Sequence, residues 1–259
     1  METVGPVHHV EHVMGMPISF DIRPPTPPLD AVREAIAWLH HVDETFSTYN
    51  LDSPISRIGR GDLTERGASL EIQEVLSECR RLTHLTNGAF DAFAVPAPNG
   101  THVDPSGLVK GWAVQRAAGI IVDAGAVNYC INAAGDIALG GQPEPDRPWS
   151  VGIRHPFLSD KLATTVRLAG PIAVATSAKY ERGDHIIDPR SGTVANAMLS
   201  ATVFGPDLGL ADAYATAVFV MGDEGLDWID EQDGYEAYVI TLEEMTHWTH
   251  GFERAWPYA

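Results

Sequence analysis

WSVGIR at Trp149–Arg154, LATTVRL at Leu162–Leu168, IAVAT at Ile172–Thr176 and LSATVF at Leu199–Phe204 decide the fold class. Each run is short and rich in β-branched residues, and Gly, Pro and Asp separate them, which is the signature of strands joined by turns. Val127–Asn132 ahead of them and His185–Ile187 among them read the same way. Upstream, Val7–Arg23 reads as extended with a break at Met14-Gly15-Met16-Pro17, and PPTPP at Pro24–Pro28 forms a stiff connector that suits a helix start. Leu29, Val32, Ile36, Leu39, Val42 and Phe46 then recur at steps of three and four, as on one face of a helix. STYNLDSPISRIGRGD reads as a loop with a short turn. Ile72, Val75, Leu76, Cys79, Leu82 and Leu85 mark a second helix, with Ser69 as its N-cap and Asn87-Gly88 as its stop. Gly88–Gly111 is broken by Gly, Pro and Asp and reads as irregular chain; Trp112–Val122 makes a third helix. Downstream of the strands, Leu208–Met221 is a fourth helix, Glu224–Asp230 a fifth and Tyr235–Thr241 a late strand. Helices come early and strands in the middle, with little strict βαβ alternation. The expected class is therefore α+β, with a mostly antiparallel sheet flanked by helices, in one domain over residues 1–259.

The 259 residues carry 17 Lys and Arg against 35 Asp and Glu, a formal net charge of −18, with 44% apolar residues. That apolar fraction supports a substantial core and excludes wholesale disorder. The charge argues against nucleic acid or an anionic membrane as partner, because phosphate binding relies on Lys and Arg. A phosphate-bearing ligand would need a local cation, a metal or backbone N–H groups. The first twenty residues lack a basic stretch followed by an unbroken apolar run, and no later run approaches the roughly 18 apolar residues of a spanning helix. A cytoplasmic protein without a membrane anchor is expected. Cys79 and Cys130 belong to no C-x-x-C pair. A disulfide between them stays open, but two buried thiols are the simpler reading.

Several segments hold chemistry-bearing residues. Asp212 and Thr216 stand i,i+4 on the fourth helix, so a carboxylate and a hydroxyl share one face as hard oxygen donors suited to Mg²⁺ or Ca²⁺. On spacing alone, Asp212 serves the helix dipole and Thr216 bonds its own backbone equally well. DPSGLVKGW at Asp104–Trp112 places Gly107 and Lys110 where a loop opens onto a helix, although it matches neither common phosphate-loop pattern. NAAGDI at Asn132–Ile137 allows close approach to its backbone, or is a plain turn from strand to loop. TSAKYERGDHIIDPRSG, Thr176–Gly192, concentrates Ser177, Lys179, Asp184, His185, Asp188 and Arg190; His185 is its natural general-base candidate. His8, His9 and His12 suggest a metal, but a surface strand explains them better.

In this order, VMGMPISFDI, FSTYNLDSPISRI, TNGAFD, VDPSGLVKGWAVQRA, YCINAAGDIALGG, WSVGIRHP, AVATSAKYERGDHIIDPRSG and SATVFGPDLGLADAYATAVFVMG resemble the ApbE family of FAD:protein FMN transferases. The likeness runs from about Val13 to Gly222. It implies Mg²⁺-dependent cleavage of the FAD pyrophosphate, transfer of FMN to a Ser or Thr hydroxyl of an acceptor protein, and release of AMP. It further implies metal ligation by Asp212, Thr216 and the backbone oxygen of Gly107. FAD contacts would fall on Met14, Tyr49, Ala89, Phe90, Asp91, Asp104, Lys110 and Ile187, with Tyr49 and Phe90 near flavin or adenine rings. His185, or Asp184, would assist proton removal. The pattern departs from the family at Met16 for Thr, at Ala134 for Gly, and in a short connection from Asp91 to Asp104. Ala215 stands where relatives can carry a further acidic ligand, so water or a substrate oxygen would fill that place. A Mg²⁺-dependent FAD pyrophosphatase using the same residues, and a non-catalytic flavin-binding protein, are the competing readings.

Overall fold

The computed structural model describes residues 5–94, 96–158, 160–179 and 186–252. Strand β1 (Val7–Val13) turns directly into β2 (Met16–Arg23), with Val13 opposite Met16. The two turn residues, Met14 at φ 54° and Gly15 at φ 72°, both have positive φ, as a two-residue hairpin requires. Helices α1 (Leu29–Phe46), α2 (Pro54–Gly59) and α3 (Leu70–Leu85) follow, then α4 (Ser106–Asp123). Strand β3 (Asn128–Ala133) and β4 (Asp136–Gly140) form a second tight hairpin, with Ala133 opposite Asp136. β5 (Trp149–Arg154) pairs β6 (Leu162–Leu168), and β7 (Ile172–Ala178) returns to the main sheet. Two short strands, β8 (Ile187–Asp188) and β9 (Thr193–Val194), pair with each other. β10 (Met198–Gly205), α5 (Leu208–Met221), α6 (Asp223–Asp230), β11 (Glu236–Thr241) and β12 (Thr246–Trp248) complete the order.

Among the described residues the main sheet has eight strands in the order β1-β2-β3-β4-β7-β10-β11-β12, and every neighbouring pair is antiparallel. The expected α+β class, a mostly antiparallel sheet with flanking helices, is the observed one. One face, through Ile18, Phe20, Ile131, Ala175 and Val203, packs under the helices. The other face, through Leu139, Val174, Phe204 and Ile240, is covered by Trp149, Val151, Val166 and Leu168 of the β5–β6 hairpin. The centre of the sheet is therefore buried on both sides, and β4 and β10 show no exposed residue at all.

Three expectations need correction, and two short strands go unannounced. The polar segment after α1 contains α2, because Pro54 sits in its first turn and the Ser53 side chain accepts the Ser56 N–H. Asn132–Ile137 is a hairpin rather than a strand end, and the doubly buried β4 hides the period-2 alternation that marks a half-exposed strand. β9 and β12 are two and three residues long with no buried residue, so no apolar pattern announces them. The third helix begins at Ser106, not Trp112, so Ser106–Gly111 is helical. Its glycines read as breakers but serve packing: a Cβ on Gly111 would strike the Leu208 carbonyl, and one on Gly209 would lie 3.2 Å from Trp112. α4 and α5 approach across these bare positions. Asp207 caps α5 by accepting the Leu210 N–H at 2.8 Å, and Gln115 of α4 accepts the Leu208 N–H at 3.0 Å. Ser69 precedes α3 as expected, without a capping hydrogen bond from its side chain. Among the described residues no helix is long and apolar enough to cross a membrane.

Candidate active site

The approach of α4 to α5 sets the floor of a cavity of about 1230 Å³. Asp212, one and a half turns into α5, is 3% exposed, and the Gly111 N–H of α4 donates to its Oδ2 at 3.2 Å. Lys110 Nζ lies 3.8 Å from Asp212 Oδ1 and 2.7 Å from Asp136 Oδ2 at the start of β4. Asp136 is fully buried, and its Oδ1 accepts the Thr176 N–H of β7 at 3.2 Å. Two buried carboxylates thus share one ammonium. Burial, and next the Asp136 charge, push the Asp212 carboxyl well above the usual carboxylate range, against the pull of Lys110 and the Gly111 N–H. One turn further along α5, Thr216 Oγ1 is 3.1 Å from Ser177 Oγ of β7. Gly107 faces the same corner: a Cβ there would lie 3.7 Å from Thr216 Oγ1 and 3.1 Å from the Phe90 ring.

Asp212 therefore does not serve the dipole of its helix, since Asp207 holds that end, and Thr216 turns its hydroxyl to the sheet rather than to its own backbone. Hard oxygen donors, one of them a buried carboxylate whose ionisation is opposed, suit a divalent cation whose charge would offset both acids. Among the described residues, no group of three or more His, Cys, Asp or Glu side chains converges to hold a metal. A cation here would draw on a hydroxyl, a main-chain carbonyl and ligand oxygens to complete its shell.

The walls bring the remaining sequence-derived candidates together. Met14 lines the cavity from the β1–β2 turn, Tyr49 from the loop after α1, Ala89, Phe90 and Asp91 from the exit of α3. Asp104 and Lys110 line it from α4 and its approach, and Ile187 from β8. Tyr49 is 75% exposed at the mouth, whereas Phe90 is buried. The Tyr49 loop is tied down: the Ser53 and Ser56 hydroxyls both donate to the Ser47 carbonyl, and Asn99 Nδ2 donates to Ser56 Oγ at 2.7 Å. Asp91 and Asp104 close their own turns by accepting the Phe93 and Ser106 N–H groups. His185 and Asp184 lie outside the described residues.

The remaining sequence readings are met in part. Ala215 is fully buried among core residues and does not line the cavity. Ala134 adopts φ 51° in the β3–β4 turn, a conformation that glycine takes more freely. Asp136 is a site neighbour absent from the sequence-derived candidates; its signal is a lone acid opening the otherwise apolar run DIALG. Ser177, with no role assigned by the sequence, meets the Thr216 hydroxyl. His8 and His12 sit on the exposed side of edge strand β1, and His9 and His40 both bond Glu11 at 3.0 Å, as surface pairs. Cys79 and Cys130 are free thiols.

A model of the ApbE family matches residues 14–99 and 92–239. The chain is 28% identical over 239 residues to an FAD:protein FMN transferase of Vibrio cholerae, covering 72% of each chain. It is 23% identical to an FAD:protein FMN transferase of Haemophilus influenzae, covering 92% of this chain and 84% of the relative. Among solved structures, the flavin transferase ApbE from Vibrio cholerae superposes with a TM-score of 0.84 at 24% identity, over 98% of this chain and 99% of that one. The apbe protein from Thermotoga maritima gives 0.83 at 20% identity, over 96% and 98%. These two structural likenesses speak for the fold.

Proposed function

The chain belongs to the ApbE family, and from that premise we propose that it is an FAD:protein FMN transferase, a single unit over residues 1–259 carrying one site. FAD is the substrate, and a Ser or Thr hydroxyl of an acceptor protein receives FMN. The observation that carries this reading is the convergence of Lys110, Asp212, Thr216 and Gly107 at the floor of one large cavity. Its volume of about 1230 Å³ exceeds the 300–1,000 Å³ or so of ordinary small-molecule pockets, as a dinucleotide demands.

Asp212, Thr216 and the Gly107 carbonyl would hold Mg²⁺, whose chemistry there is Lewis-acid stabilisation of charge on the diphosphate. Lys110 supplies a cation to the same phosphates in a chain of net charge −18. Tyr49 and Phe90 offer ring faces to the flavin or adenine, and Met14, Ala89, Asp91, Asp104 and Ile187 shape the remaining contacts. The acceptor oxygen bonds to the FMN phosphorus as the phosphoanhydride bond breaks. The bonding pair stays with the departing AMP oxygen, and the hydroxyl proton passes to His185 or Asp184.

The test combines protein, FAD, Mg²⁺ and candidate acceptor proteins, with flavin fluorescence read on a denaturing gel beside AMP release. A labelled acceptor with equimolar AMP, both lost on chelating the metal, is the expected result. AMP without label would instead make the protein an FAD pyrophosphatase, and neither product with FAD retained would make it a flavin-binding protein.

A further inference from the structure

Asp136 is fully buried yet does not line the cavity. A carboxylate taken out of water must be matched by a counter-charge and hydrogen bonds. Asp136 has both: the Lys110 ammonium at 2.7 Å and the Thr176 N–H at 3.2 Å. Its place is rigid, because β4 is paired on both edges, to β3 and to β7. Lys110, by contrast, carries its charge on a flexible four-carbon stem that can pivot between partners. The second carboxylate in reach is Asp212, whose Oδ1 is 3.8 Å from the ammonium. The nearer bond goes to the acid behind the wall, and the longer one to the acid in the cavity.

We propose that Asp136 is a positioning residue that holds Lys110 off Asp212. So held, the Asp212 carboxylate stays available to a hard divalent cation, while the ammonium remains at the cavity floor to meet a diphosphate. Without the anchor, Lys110 closes onto Asp212 and competes with the cation for it. The inference rests on the metal and dinucleotide reading above. It goes further in assigning a role to a residue outside the cavity wall.

The experiment is a double-mutant cycle with Asp136→Asn and Lys110→Met. Asn keeps the volume and an oxygen for the Thr176 N–H while removing the charge. Mg²⁺ affinity is measured by calorimetry with the metal alone, and FAD affinity by flavin fluorescence in a chelator, so neither reading needs turnover. Asp136→Asn is expected to weaken Mg²⁺ binding roughly tenfold, as for residues that orient metal ligands. In the Lys110→Met background the same change should cost under about threefold, because no ammonium is left to collapse. Equal factors in both backgrounds, or no effect in either, would overturn the proposal. Should Asp136→Asn not fold, Lys110→Met alone decides: Mg²⁺ bound at least as tightly as by the unaltered protein, with FAD bound more weakly, supports it. Loss of both affinities overturns it. An unaltered protein that releases no AMP from FAD would remove the proposed activity while leaving the Mg²⁺ cycle to stand or fall separately.

Discussion

α4 and α5 face each other across one cavity, yet they are built on opposite plans. α5 is a well-marked helix: Asp207 caps it, Ala and Val fill its core side, and Asp212 and Thr216, the proposed acid and alcohol of the site, stand one turn apart on a regular backbone. α4 starts after Pro105, whose side chain offers no capping bond, and carries Gly107 and Gly111 in its first two turns. The first helix contributes side chains, while the second contributes bare backbone and one lysine. Weak local helix preference in α4 is the cost of letting a backbone come close to its partner and to a ligand, so the site draws on a stretch whose local chemistry disagrees with its own fold.

Breaking the α5 half should have the largest effect. Asp212→Ala removes the only carboxylate given to the metal, and transfer is expected to fall by about 100-fold or more, measured as AMP release with saturating FAD. Breaking the α4 half at Gly111 comes next. Gly111→Ala places a Cβ against the Leu208 carbonyl; the overpacking should cost about 1–3 kcal/mol by denaturant unfolding, in spite of alanine's better helix propensity. A neutral or stabilising result would show that the two helices can part without harm. Asp207→Ala sharpens the contrast more gently, with a loss of about 1 kcal/mol from the α5 cap. Gln115→Ala should cost least, about 0.5–1 kcal/mol, for the single bond by which α4 caps its partner.

The same contrast explains what the sequence reveals. The bounds of α5 and of the β5–β6 hairpin are legible, because a cap or a strict in-out alternation writes them locally; β5 alternates buried and exposed along its length. The first turns of α4 and all of β4 are not, since only the arrival of another layer explains their glycines and their unbroken burial. α2 did carry a signal, Ser53 before Pro54, inside a segment too polar to suggest a helix. Among the proposed site residues, Asp212, Thr216, Gly107 and Lys110 each look ordinary in their own segment. Their meaning comes from non-local packing, which placed the family's ordered pattern, rather than any local spacing, in the position of informant. Asp136 remained hidden because its partners lie on α4 and β7, far along the chain.

The β1–β2 and β3–β4 hairpins each turn in two residues, and both turns, Met14-Gly15 and Ala134-Gly135, border the cavity. Chain that tight has no slack with which to hinge, so this rim forms a fixed sill. A dinucleotide arriving there meets a contour already set by folding and loses little entropy in ordering it.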